Sequence, residues 1–90
     1  MILDAPAQYD HPYAGQMIEH RMTAQEVERL CRQAGWRGEG LVYACSFKFP
    51  LADASGHPPC FILIPNNVPV KTIALLEQHE RAHCNGFVHQ

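Results

Sequence analysis

Residues 66–89, NNVPVKTIALLEQHERAHCNGFVH, decide how the chain is read. Asn66 and Asn67 are good helix-cap residues, Pro69 is tolerated in a first helical turn, and neither Gly nor Pro follows between Val70 and Cys84. This pattern predicts a helix over 70–84. Its first half carries Ile73, Ala74, Leu75 and Leu76, whereas 77–83 is polar and rich in His, so the two halves must meet different surroundings. Asn85-Gly86 ends the helix, because Gly accepts the left-handed conformation that commonly closes one.

Working back, residues 60–64 form a short apolar run that reads as a strand, preceded over 51–59 by turn formers including Asp53, Ser55, Gly56, Pro58 and Pro59. Leu41, Tyr43, Cys45, Phe47 and Phe49 alternate with Val42, Ala44, Ser46 and Lys48, the two-residue period of a strand with one face in the core, and Pro50 ends it. An antiparallel hairpin is the simplest connection. Thr23 with Glu26 is a capping box, and Val27, Leu30, Cys31 and Ala34 at helical spacing before Gly35 predict a helix over 24–34. Residues 1–22, with Pro6, Pro12 and Gly15, read as an extended arm that Tyr9, Tyr13, Met17 and Ile18 could pack down. The expected fold is α+β: N-terminal arm, helix, antiparallel β-hairpin or small sheet and C-terminal helix, with 23–90 as a single compact domain.

Ninety residues allow one core, and 47% hydrophobic with 18% charged residues is too apolar for disorder. A net charge of -2 with scattered Lys and Arg gives no footprint for a phosphate backbone, so nucleic acid is not expected as a partner. The apolar run that includes 61–64 is too short to span a membrane, and no signal peptide is visible at the start. Cys31, Cys45, Cys60 and Cys84 contain no C-x-x-C pair, which argues against a zinc ribbon. They are either reduced core thiols or two disulfides. In an exported protein Cys45–Cys60 is the expected bridge, since both lie on neighbouring strands, and such a bridge would favour a periplasmic or secreted location.

The chemistry lies in 79–89, which reads H-E-x-x-H-x-x-G-x-x-H with every fixed position filled. At this chain's own residue frequencies, chance would produce it roughly once in ten thousand. Residues four apart share a helix face, so His79 and His83 can bind one ion. Were the helix to continue, His89 would lie about 15 Å further along the axis than His79. A reversal at Gly86 brings it back, so the Gly and the third His act together. Three neutral imidazoles leave Zn2+ one open position, the arrangement of a catalytic site. Glu80, next to His79, is placed to approach a water there without being a ligand. His11, His20 and His57 lack partners at ligand spacing and are expected to be exposed loop residues, and Tyr43 is expected as core. Cys84 is expected as a buried thiol or half of a disulfide, because its side chain points about 100° away from that of His83.

Over 79–89 the sequence resembles the metzincin clan of zinc metallopeptidases. The resemblance implies zinc ligands at His79, His83 and His89, Glu80 as general base, a peptide or protein substrate, and a strand beside the cleft that pairs with it, a place either hairpin strand could take. Metzincins follow the third His with a Met-containing turn beneath the metal; here only Gln90 follows, and Met1, Met17 and Met22 all precede the motif. Three sources of a floor stay open: the apolar faces of the first helix and hairpin, a natural chain that continues further, or a third ligand other than His89. The small size and missing Met-turn support an alternative from another class, a zinc-stabilised interaction module such as an inhibitor or assembly subunit, which binds the metal and cleaves nothing.

Overall fold

A strand that is apolar on both alternating faces suits a position covered on both sides. A computed structural model, describing residues 6–35, 43–48 and 56–88, gives the Cys60–Pro65 run that place. It is the central strand β3 of a three-stranded sheet, between β1 (Met17–Met22) and β2 (Cys45–Lys48). β2 pairs antiparallel with β3, placing Ser46 opposite Ile62 and Lys48 opposite Cys60. β1 pairs parallel with it, from Met17 opposite Cys60 to Met22 opposite Pro65. The fold is therefore α+β with a mixed sheet. Part of the segment expected as an arm, 17–22, is a strand. Its apolar residues Met17, Ile18 and Met22 do not alternate, and an edge strand held by its backbone ladder needs no such alternation.

Helix α1 (Ala24–Gln33) and helix α2 (Val70–Cys84) pack on opposite faces of the sheet. Val27 and Cys31 of α1 meet Leu63, with Met22, Leu30 and Cys45 around them. Ile73, Leu76 and Cys84 of α2 meet Cys60, Ile62 and Ile64, with Tyr13, Met17, Ala44 and Val68 at the margin. Strand parity explains the division, since alternate residues of β3 face opposite helices. On β2, Cys45 follows Leu63 toward α1. Phe47 stacks on Phe61 at 5.7 Å, and His20 stacks on the other side of Phe61 at 6.0 Å. Phe47 is 39% exposed, and Tyr43, expected in the core, is 45% exposed just before the strand begins. His20 is a strand residue, not a loop residue.

Two side chains singled out in the sequence meet at the start of α1, and the start of α2 has no side-chain cap. Thr23 Oγ1 accepts from the Glu26 backbone N–H at 3.2 Å and donates to the Glu26 carboxylate at 3.0 Å. Asn67 does not cap α2, whose N-cap is Pro69; its Oδ1 accepts from the Ala24 N–H at 3.1 Å, in the first turn of α1. Arg21 bonds Glu19 at 2.5 Å and Glu77 at 3.3 Å, linking β1 to α2.

The cysteines form two disulfides, and the expected Cys45–Cys60 bridge is not one of them. Cys31 pairs with Cys45, and Cys60 pairs with Cys84. Cys45 and Cys60 are on neighbouring strands but point to opposite faces, the first toward α1 and the second toward α2. Each helix is thus tied to the sheet by its own bridge. The two bridges are compatible with an exported protein. Among the described residues no helix is long and apolar enough to cross a membrane.

Candidate metal centre

Helix α2 carries His79 and His83 on one face, and the ligand-type atoms of His79, Glu80 and His83 lie within 4.8 Å of one another. This group could hold a metal ion. His79 and Glu80 are buried, at 7% and 4% exposure, and His83 is partly so. Cys84, one residue beyond His83, is held to Cys60 of β3, so the ligand-bearing end of the helix is fixed to the central strand.

The end of α2 is a Schellman motif. The Gly86 N–H donates to the His83 carbonyl and the Phe87 N–H to the Ala82 carbonyl, both at 3.0 Å. Gly86 has φ +108°, a conformation L side chains rarely adopt. A Cβ there would meet no atom within 4 Å, so the backbone and not crowding requires glycine. The expected reversal is present. His89, expected as the third ligand, lies outside the described residues.

The turn also returns Phe87 beneath the imidazoles. His83 Nδ1 is 2.7 Å from the Phe87 carbonyl oxygen. A carbonyl oxygen can only accept, so Nδ1 carries the hydrogen and the lone pair lies on Nε2, the tautomer of a metal-binding imidazole. That Nε2 is 3.1 Å from Nε2 of His79. Two nitrogens bound to one tetrahedral ion at 2.0–2.1 Å would be about 3.3 Å apart, so the pair fits a shared cation with little movement. The Phe87 ring stacks on His83 at 5.1 Å and stands edge-on to His79 at 5.9 Å, and Tyr9 packs behind it at 5.6 Å. Aromatic rings from the turn and the N-terminal segment therefore line one side of the site. Asn85 secures that segment, donating to the carbonyls of Tyr9 at 3.0 Å and His11 at 2.6 Å.

The chain matches no protein-family model, no curated protein and no solved structure.

Glu80 faces the sheet, where the Ser46 side chain on the α2-facing side of β2 bonds its carboxylate. Burial pushes the Glu80 carboxyl up to about 7, and the Ser46 hydrogen bond works against that rise. Beside His83 runs an open groove of about 470 Å³ lined by Ser46, Phe47, Lys48, Cys60, Phe87 and Val88. Among the described residues β2 is an edge strand, whereas β3 is paired on both sides, so of the two hairpin strands β2 is the one placed to accept an added strand. Ser46 and Phe87 went unnoticed in the sequence. Phe87 fills a variable position of the motif, and Ser46 is distant in sequence and marked only by its place on the alternating strand. His57 packs edge-on to Tyr13 at 6.2 Å, and exposed His11 has its ring against the Pro12 carbonyl; neither joins the centre.

Proposed function

We propose that the chain is a zinc-dependent metalloendopeptidase of the metzincin type, with His79, His83 and His89 as ligands and Glu80 as general base. The observation that carries this reading is the 3.1 Å approach of the two Nε2 atoms, with a carboxylate beside them and a groove along a strand edge next to them. Zinc is the metal favoured by imidazole donors and a site that keeps a position for substrate. When bound, the ion would acidify a water and polarise a peptide carbonyl.

The protein's own groups supply the rest. Phe87 fixes the His83 ring through its carbonyl and packs against both imidazoles. An extended peptide pairs with the outer edge of β2, which runs past Ser46 and Lys48. Glu80, held by Ser46 and raised by burial toward neutral, takes a proton from the attacking water and delivers it to the leaving amine.

The test is hydrolysis of a broad peptide pool by metal-analysed protein, with and without chelator. Cleavage that disappears on chelation and in Glu80→Gln, while Glu80→Gln still binds zinc, supports the reading; chelator-resistant cleavage removes it. The burial of Glu80, at 4% exposure, favours the second reading, a zinc-stabilised interaction module. Such a module keeps its partner affinity in Glu80→Gln and cleaves nothing in either form.

A further inference from the structure

The groove beside His83 is apolar over Phe47, Phe87 and Val88, and among the described residues that line it Lys48 alone carries a permanent charge. Lys48 is the last residue of β2, two positions beyond Ser46 and on the same face of the strand. At about 3.3 Å per residue, its backbone lies about 7 Å along the edge from the residue that holds Glu80. Its ammonium sits 5.5 Å from the centre of the Tyr13 ring, which orients the cation without neutralising it. The Tyr13 hydroxyl donates to the Pro58 carbonyl at 2.5 Å, so the ring is itself anchored. Among the described residues the ion pairs are Arg21 with Glu19 and Glu77, and Arg32 with Glu28, so no described carboxylate pairs with Lys48.

We propose that Lys48 makes this groove a carboxylate-selecting subsite, so that the ligand is a peptide with a negative charge one or two residues from the bond held at the metal. Cleavage of that peptide rests on the peptidase reading; its recognition does not. A peptide added along β2 alternates its side chains between the sheet faces, and one on the α2 face falls beside the Lys48 ammonium. The Lys48 ammonium is exposed at the open groove, where it can reach a ligand carboxylate and form a charge-assisted hydrogen bond with it. The carboxylate can belong to an Asp or Glu side chain or to a peptide C-terminus, and the experiment separates the two.

Matched peptides carrying Glu, Gln or Lys at successive positions, each with a free and an amidated C-terminus, are offered to the zinc-loaded protein and to Lys48→Gln and Lys48→Glu. Cleavage is read as kcat/KM, and binding is measured on zinc-loaded Glu80→Gln by calorimetry. The expected result is about a threefold preference for Glu over Gln at one position, lost in Lys48→Gln and inverted toward Lys in Lys48→Glu. A preference that follows the free C-terminus instead assigns the terminal carboxylate as the selected group. Cleavage with no charge preference, or a preference unchanged in Lys48→Glu, overturns the subsite and leaves the peptidase reading intact. Absence of cleavage together with charge-selective binding that depends on Lys48 overturns the peptidase reading and supports the subsite. Absence of both overturns the subsite. Melting curves for the two Lys48 variants, which alter an exposed side chain, establish that they are folded.

Discussion

The Nδ1 atom of His83 lies 2.7 Å from the carbonyl oxygen of Phe87, four residues on and past the end of its helix. One hydrogen bond thereby couples a backbone turn to the protonation pattern of a ring that could hold a metal ion. Gly86, between them, makes the turn possible.

Gly86→Ala is therefore expected to cost about 1–2 kcal/mol of stability, the penalty for holding an L residue in left-handed backbone. It should also weaken zinc binding, because the Phe87 carbonyl moves away from His83. A thermal melt with a calorimetric zinc titration checks both effects, and an alanine variant matching the parent in each would remove the role given to the turn.

Removing His79 or His83 should abolish tight zinc binding, whereas removing His89 should lower affinity only if the tail past Gly86 supplies a ligand. Metal-to-protein ratios for the three alanine variants decide the ligand set. Full occupancy in His83→Ala would count against the centre as a whole.

In chelator-treated protein, Glu80 gives stability a definite pH dependence. Its folded carboxyl is raised from 4.5 to about 7 by burial, so between those values the folded state holds a proton the unfolded chain has released. The favourable contribution is present in full below the lower value, declines as pH rises and is gone above about 7. The loss across the window is roughly 3 kcal/mol. Urea titrations of the parent and Glu80→Gln at about pH 5 and pH 8 measure it, with the Gln variant expected to lack this component.

The two disulfides should be worth about 3 kcal/mol each by loop-closure entropy, for separations of 14 and 24 residues. They should differ in their effect on metal. Replacing Cys60 and Cys84 with Ser frees the end of α2 next to His83 and should lower zinc affinity, whereas replacing Cys31 and Cys45 acts on the opposite face and should not. Equal zinc affinity in both double variants would contradict the assignment.

Local signals were legible in the sequence and non-local ones were not. The Val70–Cys84 helix, its Gly86 stop, the Thr23 cap and the apolar Cys60–Pro65 strand each follow from neighbouring residues. β1 was not, because its backbone ladder runs to a strand more than forty positions away and its Glu19, His20 and Arg21 carry no apolar period. The cysteine pairing was missed for a related reason. Neighbouring strands suggested Cys45–Cys60, but register decides which face each side chain takes, and one position reverses it. At the site, His79, Glu80 and His83 are brought together as their spacing implied, whereas Ser46 enters through tertiary packing and Phe87 through the turn at Gly86, from a variable position of the motif.

Linking first cysteine to second and third to fourth has a consequence for how the protein matures. The two covalent rings are successive along the chain and neither threads the other, so each closes once its own segment has been synthesised. Four cysteines permit three pairings. Both non-native ones would join a thiol on the α1 side of β3 to one on the α2 side, so a correctly formed sheet keeps those partners apart and acts as the proofreader of its own oxidation.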